Sequence, residues 1–257
     1  LFTLDFGESF KDNQPVMNKI IERLPTTVKI EVLSILVVYL VAIPLGIYSA
    51  THSYSLGDQA TTFAAFVLFA LPVIWAGTMA IVFLCGGDFY YLFPPGGLTS
   101  LDYSSEWPLW AKIKDQAWHL FLPVLLLSYA GFAGLSRYMR TGMLEQLRQD
   151  FVLTARAKGL SERIVIYKHV LRNSLIPMVT ILADLLPGLV GGSVIIETIF
   201  SIPGLGQLGY EAVLARDFPT VMALFTMSAL LTLAGILLSD VLLALVDPRI
   251  AFGRRGQ

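Results

Sequence analysis

The side chains that could do chemistry in this sequence are few, and their spacing forms no catalytic group. His52, His119 and His169 show no pattern with a serine or a paired aspartate that is typical of a hydrolase. Cys85 is the single cysteine and stands in an apolar run, which excludes a disulfide framework and a thiolate metal cluster. The nucleotide-binding pattern G-x-x-x-x-G-K-[ST] is missing, because GGLTS and GLGQLG both lack its lysine. We therefore expect no enzyme activity and no cofactor bound by this chain.

A basic segment interrupts an otherwise apolar chain. Residues 154–177 read TARAKGLSERIVIYKHVLRNSLIP and contain five cations: Arg156, Lys158, Arg163, Lys168 and Arg172. Good helix formers run from Met143 to Ala157, Gly159 is a natural helix stop, and Ser161 suits the N-cap of a second helix. The cations alone would fit a loop that binds anionic lipid. The small residues Ala155 and Ala157 beside the glycine favour instead a helix end that seats in the groove of a partner protein.

Composition predicts the elements that must hold this segment in place. The 257 residues are 55% hydrophobic and only 14% charged, whereas soluble chains are about 25% charged. Five segments have the roughly 20 mostly apolar residues that cross a bilayer: Thr26–Ala50, Thr61–Cys85, Trp118–Leu135, Ser174–Phe200 and Pro219–Val246. A soluble core would need five long helices without polar faces. We predict an all-α, polytopic membrane protein, and the net charge of -1 gives no indication of nucleic-acid binding.

The distribution of Lys and Arg predicts the orientation in the membrane. Eight of these residues lie between the third and fourth segments, and three follow the fifth. Because cytoplasmic loops carry the excess of positive charge, both regions are expected in the cytoplasm. The sequence would then begin outside and end in the cytoplasm, with one transmembrane helix of the full protein expected before Leu1.

A few polar residues within the apolar segments are candidates for a transport pathway or gate. A charge at the bilayer centre costs roughly 3 kcal/mol or more unless it is paired or hydrated, and Asp184 lies in the middle of the fourth segment. It could face water in a pathway or make a buried structural hydrogen bond. Ser193 and Glu197 lie near the outer end of this segment, where Glu197 could contact a partner or gate, or serve as an interfacial cap. For Asp240, a structural pairing is the favoured interpretation.

Several motifs resemble one known family. TARAKGL followed by HVLRNSLIP resembles the coupling loop of permease subunits from binding-protein-dependent ABC importers, in the dipeptide, oligopeptide and nickel branch. The resemblance extends over almost the whole chain, through the motifs FGESF, ERLPTT, IPLGI, GGSVIIETIFSIPGLGQLGYEAVLARDFP and DPRI. LFPPGGLTS and WHLFLPV are most similar to importers of larger peptides, including microcin C-type antibiotics.

The resemblance implies a MetI-like permease bundle over residues 1–257, with a cytoplasmic coupling loop at residues 139–172. The residues implied in coupling to an ATPase are Thr154, Ala155, Arg156, Ala157, Lys158, Gly159 and Leu160. The implied partners are a paralogous permease, two ATP-binding subunits or a fused ATPase that use ATP and Mg²⁺, a periplasmic solute-binding protein, a peptide and the lipid of the bacterial inner membrane.

The sequence departs from the family pattern in two respects. Leu153, Thr154 and Ala155 stand where the wider family often has Glu-Ala-Ala before the loop glycine, a change that the peptide branch commonly tolerates. An acid at Asp184 is not expected in most relatives.

The alternative to the importer is a secondary transporter or channel subunit, which would not need a basic helical loop with a small-residue end.

Overall fold

A computed structural model of the chain describes residues 6–86, 89–178, 181 and 193–246. The helices in these residues are α1 (Val16–Thr51), α2 (Leu56–Ala70), α3 (Val73–Ala80), α4 (Leu109–Leu147), α5 (Asp150–Ala157), α6 (Glu162–Ile164), α7 (Leu171–Ser174), α8 (Val194–Ile199), α9 (Leu205–Leu214) and α10 (Phe218–Val246). Two π-helical turns, Ile81–Cys85 and Val165–Val170, follow α3 and α6. The only β-pairing among the described residues is one bridge between Glu8 and Pro15, so the all-α prediction is confirmed.

Three of the predicted membrane segments lie within single long helices. The first, third and fifth segments fall inside α1, α4 and α10. The 36 residues of α1 would extend about 54 Å at 1.5 Å per residue, which exceeds the roughly 30 Å of a bilayer core. The ends of such a helix therefore reach beyond the apolar layer.

The second predicted segment is not one helix. It is divided into α2 and α3 at Leu71 and Pro72, and Pro72 has the extended backbone of a helix N-cap, with φ -63° and ψ 132°. Proline lacks an N–H donor and disfavours helical geometry in the residue before it. Of the fourth predicted segment, the structure describes residues 174–178, 181 and 193–200, and Asp184 lies outside the described residues.

The described residues form two compact units. Unit one comprises the described parts of residues 1–37, 71–128 and 187–232, and unit two those of residues 38–70, 129–186 and 233–257. The core of unit one joins the start of α1 to α9 and α10 through Val16, Ile20, Leu205, Leu208 and Ala223. The core of unit two joins the rest of α1, the second half of α4 and the basic segment, and includes Met139, Met143, Val152, Ala155, Val165 and Val170.

Candidate functional sites

The end of α5 has the geometry of a glycine-terminated helix. Gly159 has a φ of +77°, a value that favours glycine because it has no Cβ. Its N–H donates to the carbonyl of Arg156 at 2.9 Å, and the Leu160 N–H donates to the carbonyl of Ala155 at 3.3 Å. These two bonds form a Schellman motif and satisfy carbonyls that the helix itself leaves free. The prediction that Gly159 stops this helix is confirmed.

The helix before Gly159 is shorter than the sequence predicts. α4 ends at Leu147 and α5 begins at Asp150, so no continuous helix runs from Met143 to Ala157. The break occurs where Gln149 adopts an extended backbone with φ -80° and ψ 151° as the N-cap of α5. α5 is therefore a separate helix of eight residues.

The side of α5 that packs inward decides which of the seven coupling candidates are accessible. Val152 and Ala155 are buried in the core of unit two. Ala155 thus packs within its own chain, so of the two alanines beside Gly159 only Ala157 is exposed to a partner. The other six candidates are exposed: Thr154, Arg156, Ala157, Lys158, Gly159 and Leu160. The apolar side chain of Leu153 is also 61% exposed.

The second half of the basic segment begins at Ser161, which has an extended backbone. Ser161 has φ -63° and ψ 145° and precedes α6 as its N-cap, but its side chain makes no capping hydrogen bond. Arg156 and Glu162 connect the two sides of the glycine turn through an exposed ion pair of 2.8 Å. Lys158, Arg163 and Lys168 are also exposed, so the turn presents a cationic surface.

Glu197 lies in the interior of unit one and caps a helix. Its side chain is only 2% exposed. One carboxylate oxygen accepts a hydrogen bond from the backbone N–H of Gln207 at 2.8 Å, and the other accepts one from the Thr27 hydroxyl at 2.9 Å. Gln207 is the third residue of α9, so a carboxylate from α8 satisfies a free donor at the N-terminus of α9. Of the two interpretations left open by the sequence, this geometry favours the cap over the gate.

Thr27 and two glycines complete this cluster, which we call the Glu197 cap. The Thr27 hydroxyl oxygen accepts a hydrogen bond from the Leu205 N–H at 2.7 Å while donating to Glu197. A Cβ on Gly204 would collide with the Glu197 carboxylate, and one on Gly206 would lie 2.8 Å from the Val194 nitrogen. Glycine at both positions therefore lets the carboxylate approach the start of α9.

Ser193 also serves a local structural role. It is the N-cap of α8, and its hydroxyl accepts a hydrogen bond from the Ile196 N–H at 3.4 Å. Ser193 and Glu197 thus belong to neighbouring capping interactions in unit one, with Asp184 outside the described residues. Asp240 is exposed and has no hydrogen-bond or ion-pair partner among the described residues.

A second buried acid was not identified from the sequence. Asp217 is 1% exposed and precedes α10. Its carboxylate accepts hydrogen bonds from the Ser9 hydroxyl at 2.5 Å, the Phe10 N–H at 2.9 Å and the Thr220 hydroxyl at 2.6 Å. Asp217 itself carried a local signal, since aspartate is a preferred residue at the N-cap of a helix. The contact with Ser9 spans 208 positions and has no such local signal.

The hydrogen bonds control the protonation of Asp217. Burial raises the pKa of its carboxyl, but the donors Ser9, Thr220 and Phe10 more than offset this effect and leave the pKa below its usual range. The carboxylate is therefore the charged form that the folded chain favours, and it holds the N-terminal segment against the start of α10.

Fold and sites together define a polytopic membrane protein with an exposed cationic turn. Three helical spans are long and apolar enough to cross a membrane, Val16–Thr51, Leu109–Leu147 and Phe218–Leu238, and α2 with α3 adds a fourth if they form one broken span. Residues 42–252 match the family described as the binding-protein-dependent transport system inner membrane component. The chain belongs to this family.

Its relatives include permeases of peptide importers. It is 41% identical over 249 residues to the oligopeptide transport system permease protein AppB of Bacillus subtilis (strain 168), covering 96% of this chain and 76% of that protein. It is 38% identical over 252 residues to the inner membrane ABC transporter permease protein YejB of Escherichia coli O157:H7, with 98% and 69% covered. It is 37% identical over 251 residues to the dipeptide transport system permease protein DppB of Lactococcus lactis subsp. cremoris (strain MG1363), with 97% and 77% covered.

A solved structure shows the same fold. The chain is similar to a subunit in the inward-facing MetNI methionine ABC transporter, with a TM-score of 0.67, 16% sequence identity, and coverage of 91% of this chain and 99% of that one. The MetI-like fold is confirmed. The chain is thus a permease of an ABC importer, the class of non-catalytic inner-membrane subunits, and the family assignment argues against a secondary transporter or channel.

Proposed function

We propose that this permease forms the translocation pathway of an ATP-driven peptide importer together with a second permease subunit. In this assembly, the exposed end of α5 seats against a cytoplasmic ATP-binding subunit. The observation that carries the proposal is the construction of that end: Val152 and Ala155 fix α5 to the core of unit two, while Arg156, Ala157 and Lys158 remain exposed. A short helix fixed on one side and exposed on the other is suited to transmit the movement of a partner.

The mixed character of the exposed face favours a protein partner over lipid alone. Leu153 and Ala157 place apolar surface beside the cations of Arg156 and Lys158. No atom of the described chain outside the turn comes within 4 Å of a Cβ added to Gly159, so there is open space for another backbone. A helix end that combines a small residue, an apolar side chain and cations matches the helix-in-groove mode of recognition.

The remaining parts of the proposal concern the partners and the cargo. The partners are a paralogous permease, two ATP-binding subunits or a fused ATPase, and a periplasmic solute-binding protein. Their ATP and Mg²⁺ supply the energy, and this chain binds no cofactor of its own. Peptide cargo is supported by the names of two relatives, the oligopeptide and dipeptide permeases.

The proposed orientation places the turn at Gly159 in the cytoplasm and the stretch before α4 outside. Ser161 and Ser105 are exposed in these two regions, and the native Cys85 is buried. A cysteine at Ser161 should react with a membrane-impermeant thiol reagent only from the cytoplasmic side, and one at Ser105 only from outside. Labelling of both from the same side would contradict the topology.

Substitutions at Gly159 test the contact with the ATPase. Gly159→Asn retains a residue that tolerates positive φ, whereas Gly159→Val adds about 1–2 kcal/mol of backbone strain. If a partner seats here, both variants should lower co-purification of the ATPase and peptide-stimulated ATP hydrolysis in liposomes. Normal ATPase retention and stimulation in Gly159→Asn would overturn the proposal, because only the local backbone would then require glycine.

A pair of tryptophan substitutions separates the contact from a general disturbance of α5. Ala157→Trp adds bulk on the exposed side at the end of α5, and Gln149→Trp adds the same bulk at its exposed start. Only Ala157→Trp should release the ATPase, while both variants should insert in the membrane at parental levels. Equal loss from the two variants would point to a defect of the helix and not to a contact at its end.

A further inference from the structure

A cleft lined by both polar and apolar side chains opens in unit two between α2 and the second half of α4. Its volume is about 460 Å³. The cleft is lined from α2 by Gln59, Thr62, Phe63 and Phe66, and from α4 by Arg137 and Thr141. The cleft thus combines two aromatic rings with a guanidinium, an amide and two hydroxyl groups at one end of an apolar helix.

One cation at this cleft is already neutralised by the chain. The Arg140 guanidinium donates two hydrogen bonds to Asp58, at 3.0 Å from Nε and 2.8 Å from Nη2. The same carboxylate accepts from the Ser49 hydroxyl at 2.5 Å and from the Tyr54 N–H at 2.8 Å. Asp58 is therefore fully engaged and is not available to a second arginine.

The other cation has no acidic partner among the described residues. The Arg137 guanidinium carbon lies 4.4 Å from the centre of the Phe66 ring, so the ring orients the guanidinium through a cation–π contact. The side-chain hydroxyls of Thr62 and Thr141, which also line the cleft, make no hydrogen bond within the described chain. The side chains of Arg137, Thr62 and Thr141 can therefore all donate hydrogen bonds to a molecule bound in the cleft.

We propose that this cleft binds an anionic phospholipid. Arg137 would donate to the phosphate, Thr62 and Thr141 would donate to the phosphate or the headgroup, and the acyl chain would lie along Phe63 and Phe66. Phe63 is 71% exposed and Phe66 is 50% exposed, which gives the cleft an apolar exit toward the bilayer. Guanidinium groups match the geometry of phosphate oxygens, and in the orientation proposed above the cleft faces the anionic cytoplasmic leaflet.

Native mass spectrometry of the assembled transporter tests the site. The complex would be purified, stripped of loosely held lipid and titrated with phosphatidylglycerol or phosphatidylcholine. The parent should retain phosphatidylglycerol preferentially, and Arg137→Gln should weaken its binding about fivefold, since one cation near a membrane surface contributes on the order of 1 kcal/mol. Arg148→Gln, which removes an exposed cation just beyond the end of α4, is the matched control and should bind as the parent does. Equal lipid retention in both variants would overturn the proposal.

A photoreactive phenylalanine analogue at Phe63 identifies the occupant directly. Crosslinks to phospholipid in membranes are expected, with fewer of them in the Arg137→Gln background. Crosslinks to another subunit instead would show that a protein covers the cleft and would contradict the inference. Competition with glycerol 3-phosphate distinguishes a site for the whole lipid from a site for a free phosphate. At millimolar concentration this compound should leave the crosslink to phospholipid intact. Loss of the crosslink would show a free-phosphate site instead.

Discussion

The Glu197 cap and the end of α5 both contain ionisable side chains, but the surroundings of these side chains differ. Glu197 is buried in unit one, and each carboxylate oxygen has a donor from another part of the same unit. At the end of α5 in unit two, only Arg156 pairs with an acid, and that pair is exposed. A buried acid that accepts hydrogen bonds from its own chain fixes the structure of that chain, whereas exposed and uncommitted charge is available to another molecule.

This difference predicts which substitutions affect stability and which affect transport alone. A change in the Glu197 cap leaves buried donors without an acceptor, and such a donor costs about 1–3 kcal/mol. A change in the exposed ion pair costs less than about 1 kcal/mol. Substitutions at three places, ordered from the largest expected loss of stability to the smallest, examine this contrast.

Glu197→Ala should be the most destabilising. It removes the acceptor of the Gln207 N–H and of the Thr27 hydroxyl, so we expect a loss of about 3 kcal/mol. The measurement is thermal unfolding of the purified permease in detergent. Glu211→Ala, which removes a half-exposed acid of α9 that pairs with Lys11 at 3.3 Å, is the control and should change little. Equal stability of the two variants would disprove the structural role of the cap.

Asp217→Asn should have an intermediate effect of about 1–2 kcal/mol, typical of a helix N-cap. Because the folded-state pKa of Asp217 lies below its usual value, the charged form contributes stability above the unfolded-state pKa of about 3.9, and this contribution is lost as the pH falls further. The parent should therefore be more stable than Asp217→Asn at pH 7, and the difference should shrink below about pH 4. A difference that stays constant with pH would show that the carboxylate charge is not responsible.

The smallest loss of stability is expected at the exposed ion pair. Arg156→Gln and Glu162→Gln each break the same 2.8 Å contact, so both should lower stability by less than about 1 kcal/mol. Their effects on transport should differ: only Arg156→Gln removes a cation from the surface proposed to bind the ATPase, so only it should lower ATPase retention. Matching losses of retention would indicate that the ion pair, and not the cation, shapes the turn.

The elements of this permease could be predicted from its sequence wherever the cause is local. The apolar runs in α1, α4 and α10 are long enough to indicate membrane helices, and Gly159 ends α5 through its own backbone freedom. Proline alone was a poorer guide. Pro72 stands where a helix is broken, whereas Pro123 lies inside the unbroken α4.

The candidate sites were harder to predict because their partners are distant in sequence. Thr27 and Glu197 are 170 positions apart, so nothing near Glu197 shows that a hydroxyl from α1 meets its carboxylate. The inward side of α5 also depends on tertiary packing. With only eight residues in the helix, the sequence alone could not show that Ala155 lies in the core while Ala157 remains exposed.

The anchoring of α5 has a mechanical consequence. Val152 and Ala155 join the same packed cluster as Met139 and Met143 of α4, and close-packed interiors have low compressibility. The Schellman hydrogen bonds stiffen the exposed end as well. A load applied at Gly159 should therefore move α5 as one body, and the packed cluster would pass that movement on to α4.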